Sequence, residues 1–209
     1  MRLAVWANDE LKEEFIACGI NEVCKIDWVK SAAELDQINA DAVFDLLFEI
    51  NGYELSHLKK ISGRPVFVNS VCKTIEEIGM PFIRLNGWPG FLKRNIAEIS
   101  CREESQKKDA EHILSLLNRT AEFIPDIKGF VSARVVSMII NEAYFALDEN
   151  VSTKDEIDIA MKLGTNYPYG PFEWAKKIGL KNIVILLAEL SKTEKKYEPA
   201  GFLLKESKE

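Results

Sequence analysis

The chain has 209 residues, with 27 basic and 33 acidic side chains, a formal net charge of −6 and 47% hydrophobic residues. That length holds one large or two small domains with ample surface to bury. The acidic balance, with no basic patch interleaved with aromatics, leaves nucleic acid outside the expected partners.

No apolar run approaches the length of a membrane span, and the first residues lead directly into a strand, so neither a membrane nor an export signal is expected. The four cysteines, Cys18, Cys24, Cys72 and Cys101, form no Cys-x-x-Cys pair, and there are two histidines. Ligands for a metal are therefore few, and scattered thiols of this kind fit a reducing cytoplasm.

Leu3 to Trp6 is a short apolar run, as expected for a strand buried on both faces. Asn8 or Asp9 can cap a helix from about Glu10 to Cys18 that Gly19 ends, and Val23 to Val29 reads as a mixed strand. Ser31 and Glu34 form a capping box for a short helix through Ile38. Ala42 to Phe48 is a second buried strand, followed by a polar helix from Tyr53 to Ile61 and a strand from Pro65 to Val68. A helix capped by Thr74 and Glu77, a strand over Phe82 to Leu85 and a Gly-Trp-Pro-Gly loop come next. A strand over Ile96 to Cys101, a helix over Glu104 to Asn118 and a strand over Ala121 to Pro125 complete this half. Strands alternating with helices, each strand nearly continuous in apolar residues, argue for a parallel α/β sheet.

From Lys128 the pattern turns helical. Ser132 to Leu147 is apolar or small at nearly every position, so the helix it forms must be covered on most sides. Thr153 and Glu156 cap the next helix, Gly164 offers it a left-handed end, and Pro171 sits at the first turn of a helix that Gly179 ends. A final apolar helix over Ile183 to Leu190 precedes a charged tail whose Phe202-Leu203-Leu204 is expected to dock.

Three pieces of this half resemble the C-terminal domain of the 3-hydroxyacyl-CoA dehydrogenases. They are Gly129, Phe130 and Arg134; then Asp158, Ala160, Met161, Lys162 and Gly164; then Pro168, Gly170, Pro171 and Phe172. Order, spacing and residue type agree with that family's Gly-Phe-x-x-Asn-Arg, Asp-x-Ala-Met-Lys-x-Gly and Pro-x-Gly-Pro-Phe. The resemblance implies an α/β chain: a shortened Rossmann-like parallel sheet over residues 1–127, then a small all-α domain over 128–209, like the C-terminal domain of 6-phosphogluconate dehydrogenase. It also implies a homodimer made by the helical domain, and acyl-CoA as a possible ligand.

The same resemblance marks departures. Where the family has a Gly-x-Gly-x-x-Gly turn for the dinucleotide pyrophosphate, this chain reads Trp6-Ala7-Asn8-Asp9-Glu10, without glycine and with two carboxylates. The distance from the first strand to Asp41 leaves no room for the strand-helix unit that carries the family's ribose-binding acid. Ala40 to Glu49 follows the family's Ala-Asp-Leu-Val-Ile-Glu-Ala-Val-Phe-Glu, so Glu49 falls on the acid near the nicotinamide, although a solvated strand end is as good a reading. Val68 to Cys72 stands for Ser-Asn-Thr-Ser-Ser, which makes Asn69 a cofactor contact and Ser70 or Cys72 a substrate contact.

The family's catalytic pair is a histidine that takes the hydroxyl proton and a glutamate that steadies its charge. Counting back from Glu98 at the family spacing lands on Asn86, and the supporting asparagines fall on Pro89 and Ala133. His57 and His112 are expected on exposed helix faces. The expectation is a family member of acyl-CoA metabolism that needs no cofactor and lacks ordinary hydride transfer. The alternatives are an active NAD-dependent dehydrogenase and a non-catalytic dimeric interaction protein.

Overall fold

The computed structural model describes residues 1–61 and 63–208. The chain divides into two compact units, Met1–Phe130 and Val131–Glu209.

The first unit runs β1 (Arg2–Trp6), α1 (Asp9–Ile16), β2 (Lys25–Val29), α2 (Ala32–Leu35), β3 (Ala42–Asp45), β4 (Val66–Asn69), α3 (Ile75–Ile78), β5 (Ile83–Leu85), β6 (Ile96–Ser100), α4 (Glu104–Leu116) and β7 (Thr120–Phe123). The seven strands form one sheet in the order β2-β1-β3-β4-β5-β6-β7. The period-2 alternation of strands divides the core between the two faces. Leu3, Val5, Phe44 and Phe67 meet Leu11 and Phe15 of α1 and Ile113, Leu114 and Leu117 on one face. Ala4, Val43, Val66 and Val68 meet Leu35, Leu58 and Ile78 on the other. Phe44 and Phe67, neighbours across β3 and β4, stack with centroids 4.3 Å apart. One strand lies outside β1, where the full doubly wound order has two. The shortened Rossmann-like sheet read from the sequence is thus the observed one.

Several local expectations change. The sheet is mixed: β5 and β6 run antiparallel, while the other pairs are parallel. The strand expected through Phe48 stops at Asp45, whose carboxylate accepts the Leu47 N–H at 3.0 Å and turns the chain. The polar helix expected over 53–61 is a set of turns with a single 3₁₀ turn at Leu58–Lys60. Asn51-Gly52 and a left-handed Tyr53 (φ 65°) break it, and Leu58 is fixed by the core rather than by a helical stripe.

The second unit holds α5 (Ser132–Asp148), α6 (Lys154–Thr165), α7 (Pro171–Ile178), α8 (Leu180–Ser191) and α9 (Gly201–Glu206). Ala133, Val136, Ile140, Ala143 and Tyr144 make the buried stripe of α5; Ile183, Leu186, Leu187 and Leu190 make that of α8. The Thr153–Glu156 box caps α6 as expected, but Asn166 (φ 54°), rather than Gly164, supplies its left-handed end. Of the Phe202-Leu203-Leu204 tail, Leu203 is buried and its neighbours are exposed. Among the described residues, no helix is long and apolar enough to cross a membrane.

Candidate functional site

In an open α/β sheet, ligands bind outside the carboxyl ends of the strands, where the strand order reverses. Here the reversal lies between β1 and β3; Glu49, Ser70, Cys72 and Asn86 follow β3, β4 or β5, Asn69 ends β4, and Glu98 sits on β6. Asn86 and Glu98 bond each other there, and Glu49, Asn69 and Ser70 bond neighbouring loops.

The antiparallel register that pairs Leu85 with Ile99 brings the next residue, Asn86, opposite Glu98. The Asn86 N–H donates to the Glu98 carbonyl at 3.1 Å, and its side-chain Nδ2 donates to Glu98 Oε2 at 2.8 Å. Both residues are buried. Arg94 stands 3.8 Å from the same carboxylate oxygen. The two positions paired by counting along the sequence are therefore paired in space.

Glu49 is a hub rather than a solvated strand end. Its Oε2 accepts the Val71 and Cys72 N–H groups at 2.6 and 2.8 Å and the Tyr53 hydroxyl at 3.0 Å, and its Oε1 accepts the Trp88 indole N–H at 2.8 Å. Burial and the Glu49 charge push the Tyr53 phenol well above its ordinary pKa. Asn69 ties two loops together: Nδ2 donates to the Leu46 carbonyl at 3.2 Å, and Oδ1 accepts the Gly87 N–H at 3.0 Å. A Cβ on residue 87 would come within 2.8 Å of that amide, so the position needs glycine. Ser70 turns its hydroxyl onto the Lys73 carbonyl at 3.0 Å, and Cys72 is buried.

His57 is the clearest correction. It is buried, not exposed, and its Nε2 lies 3.0 Å from Asp45 Oδ2, with the ring edge-on to Trp6. Loss of the expected helix lets residues 46–61 fold back over the end of β3. Burial raises the Asp45 carboxyl above the usual carboxylate range, against the opposing pull of His57. A lone acid inside the apolar run Ala42 to Phe48 was the sequence signal of this pair. His112 is exposed, as expected.

Arg84 gave a similar signal, an arginine within an apolar strand. It is fully buried, and its guanidinium donates to the carbonyls of Ser70 and Ile127 and to the Asp126 carboxylate, which itself accepts the Ile75 N–H.

At the end of β1, the Asn8 side chain accepts the Leu11 N–H at 2.9 Å and so caps α1, with Asp9 and Glu10 in its first turn. Among the described residues no cluster of His, Cys, Asp and Glu could hold a metal ion.

In the second unit the resembled motif has a structural role. Asp158 Oδ1 accepts the Phe172 N–H at 2.8 Å and Oδ2 the Glu173 N–H at 3.2 Å, capping α7. A Cβ on Gly170 would fall 2.3 Å from the Asp158 carboxyl. The Asp158 cap thus leaves room for glycine alone at 170, and Lys162 bonds Glu173 beside it.

Residues 129–206 match the model of the 3-hydroxyacyl-CoA dehydrogenase C-terminal domain. The 3-hydroxyadipyl-CoA dehydrogenase of Escherichia coli K12 is 38% identical over 110 residues, 52% of this chain and 23% of that protein. A probable 3-hydroxybutyryl-CoA dehydrogenase of Bacillus subtilis is 33% identical over 130 residues, 61% of this chain and 45% of that protein. The chain thus spans under half the length of these curated relatives. The solved (S)-3-hydroxybutyryl-CoA dehydrogenase of Ralstonia eutropha shares the fold, with a TM-score of 0.73 over 98% of this chain and 92% of that one at 18% identity. With its helical motif, its shortened sheet and these matches together, the chain is similar to the 3-hydroxyacyl-CoA dehydrogenases, and its residues 129–206 carry that family's C-terminal domain.

Proposed function

We propose that this is a family member of acyl-CoA metabolism that does not carry out ordinary NAD-dependent hydride transfer. It keeps the capacity to bind an acyl-CoA or a protein partner, works in the cytoplasm, and forms a homodimer through its helical unit. The observation that carries this reading is Asn86, bonded to Glu98 at 2.8 Å. Oxidising a 3-hydroxyacyl thioester needs a group that accepts the hydroxyl proton as hydride leaves carbon. A carboxamide has no usable proton affinity near neutrality; it can only donate or accept a hydrogen bond.

The residues at the end of β1 do not fit a dinucleotide either. Its diphosphate would need free backbone N–H groups and positive potential at the start of α1. Asn8 already caps that helix, and two carboxylates follow it. Like charges at contact distance repel by about 1 kcal/mol even in water. Glu49 and Asn69, aligned with cofactor contacts, spend their hydrogen-bonding capacity on loops of the same unit.

The second reading, an active NAD-dependent 3-hydroxyacyl-CoA dehydrogenase, draws on the names of the relatives matched at 33–38% identity. The third, a dimeric interaction protein without catalysis, draws on Val135, Ile159 and Leu163, which are exposed on α5 and α6. A thermal-shift titration with NADH and with acetoacetyl-CoA separates the three, because a ligand that binds only the folded state raises the melting temperature. Stabilisation by the CoA ester alone supports the first reading. Stabilisation by NADH with turnover supports the second, and no shift with either supports the third.

A further inference from the structure

The sheet ends on β2, and among the described residues no strand pairs with its outer edge. The Lys25 N–H donates to the Met1 carbonyl at 2.9 Å, and the register then runs from Arg2 with Lys25 to Trp6 with Val29. Parallel pairing alternates along a strand, so Lys25, Asp27 and Val29 turn their backbone groups toward β1. Ile26 and Trp28 turn theirs outward, and among the described residues no strand receives them. The full doubly wound order has a further strand on this edge, and an open edge is a template for another strand.

The side chains decide which strand fits. Ile26 and Trp28 lie on the face of α1, where Trp28 meets Phe15 edge-on and remains 36% exposed. Lys25 and Asp27 share the opposite face, with one residue between them; Lys25 is exposed, and Asp27, half-buried, accepts a hydrogen bond from Arg2 with one carboxylate oxygen.

We propose that this edge pairs antiparallel with β2 of a second copy of the chain, about a two-fold axis at Ile26. In that register Ile26 faces Ile26 of the copy, which suits residues whose N–H and C=O both point outward. Lys25 faces Asp27 of the copy and Asp27 faces its Lys25, so both charge pairs are complementary. An axis at Lys25 or Asp27 would instead set like charges against each other, and an axis at Trp28 would leave both without a partner across the contact. The strand's charge pattern is self-complementary at one register alone. The contact is isologous and independent of any association through the helical unit.

Light scattering and sedimentation of the full chain test this, with circular dichroism as the control for folding. Lys25→Asp sets carboxylates against carboxylates at both pairs, and Asp27→Lys sets ammoniums against ammoniums. Each variant alone should show a lower mass than the wild type at concentrations where the wild type is paired, equal to whatever state the helical unit sets by itself. An equimolar mixture of the two variants should recover the wild-type mass, because each then offers the charges the other lacks. A purely structural role for either residue could not produce that recovery. Equal masses for the wild type and both variants, or a mixture that fails to recover, would overturn the proposal.

Discussion

Asn86 and Glu98 face each other across the antiparallel pair of β5 and β6, joined by one backbone and one side-chain hydrogen bond. Strand register holds that relationship, not the identity of the side chain at 86. Asn86→His should therefore place an imidazole against the same carboxylate. Its pKa should rise above the ordinary histidine value of about 6.5, because a nearby carboxylate favours the charged ring. An NMR titration reads this directly. The same variant should still show no NADH-dependent reduction of acetoacetyl-CoA, since the start of α1 is unchanged.

Glu49 gathers four donors on two oxygens. Glu49→Gln exchanges one acceptor oxygen for an NH₂ that faces donors. The cost should be about 2–3 kcal/mol of unfolding free energy, measured by urea denaturation. Trp88→Phe removes one donor and keeps the ring's packing, so it should cost about 1 kcal/mol, less than Glu49→Gln.

His57 and Asp45 predict a pH effect with a definite sign. Burial raises the Asp45 carboxyl in the folded state, so the folded chain holds that proton more tightly than the unfolded one. The stability this contributes is present below the unfolded pKa and is lost as pH rises through the folded value. Asp45→Asn removes this dependence. The stability of the wild type relative to the variant should therefore fall from about pH 4 upward; a relative stability that rises with pH would contradict it. His57→Ala leaves the carboxylate without its side-chain partner and should cost about 2–3 kcal/mol at neutral pH.

In the helical unit, Gly170→Ala drives a methyl into the Asp158 carboxyl that caps α7 and should cost about 2–4 kcal/mol, combining overpacking with loss of the cap. Acid should weaken the same region. Glu173 is held below the usual carboxylate range by Lys162 and by the Gly170 N–H, so its contribution is present above the ordinary pKa and fades as pH falls. Helical circular dichroism of the Gly170→Ala variant on heating checks the first point, and an acid titration of the wild type checks the second.

The strands and helices were legible in the sequence wherever apolar period and capping chemistry agreed. Thr74 with Glu77, Thr153 with Glu156 and Pro171 with Gly179 all mark the helix ends they were read to mark. The antiparallel turn of β6 was not legible, because a buried strand reads alike in either direction. Nor was the fate of residues 53–61, where a polar run carried no helical stripe and was shaped by long-range partners for Glu49 and His57. The Asn86–Glu98 pair follows from the family resemblance, by counting at that family's His-Glu spacing. Its burial, and the closure of Glu49 and Asn69 on their own loops, depend on partners far away in sequence. An acid or amide at a strand end looks the same in sequence whether it awaits a ligand or a neighbouring N–H.

Turnover by the purified full chain tests the central claim most directly. With NADH and acetoacetyl-CoA, followed by nicotinamide absorbance, the wild type should show no oxidation above the enzyme-free rate, while the CoA ester alone raises its melting temperature. Steady NADH oxidation that scales with protein concentration would contradict the account.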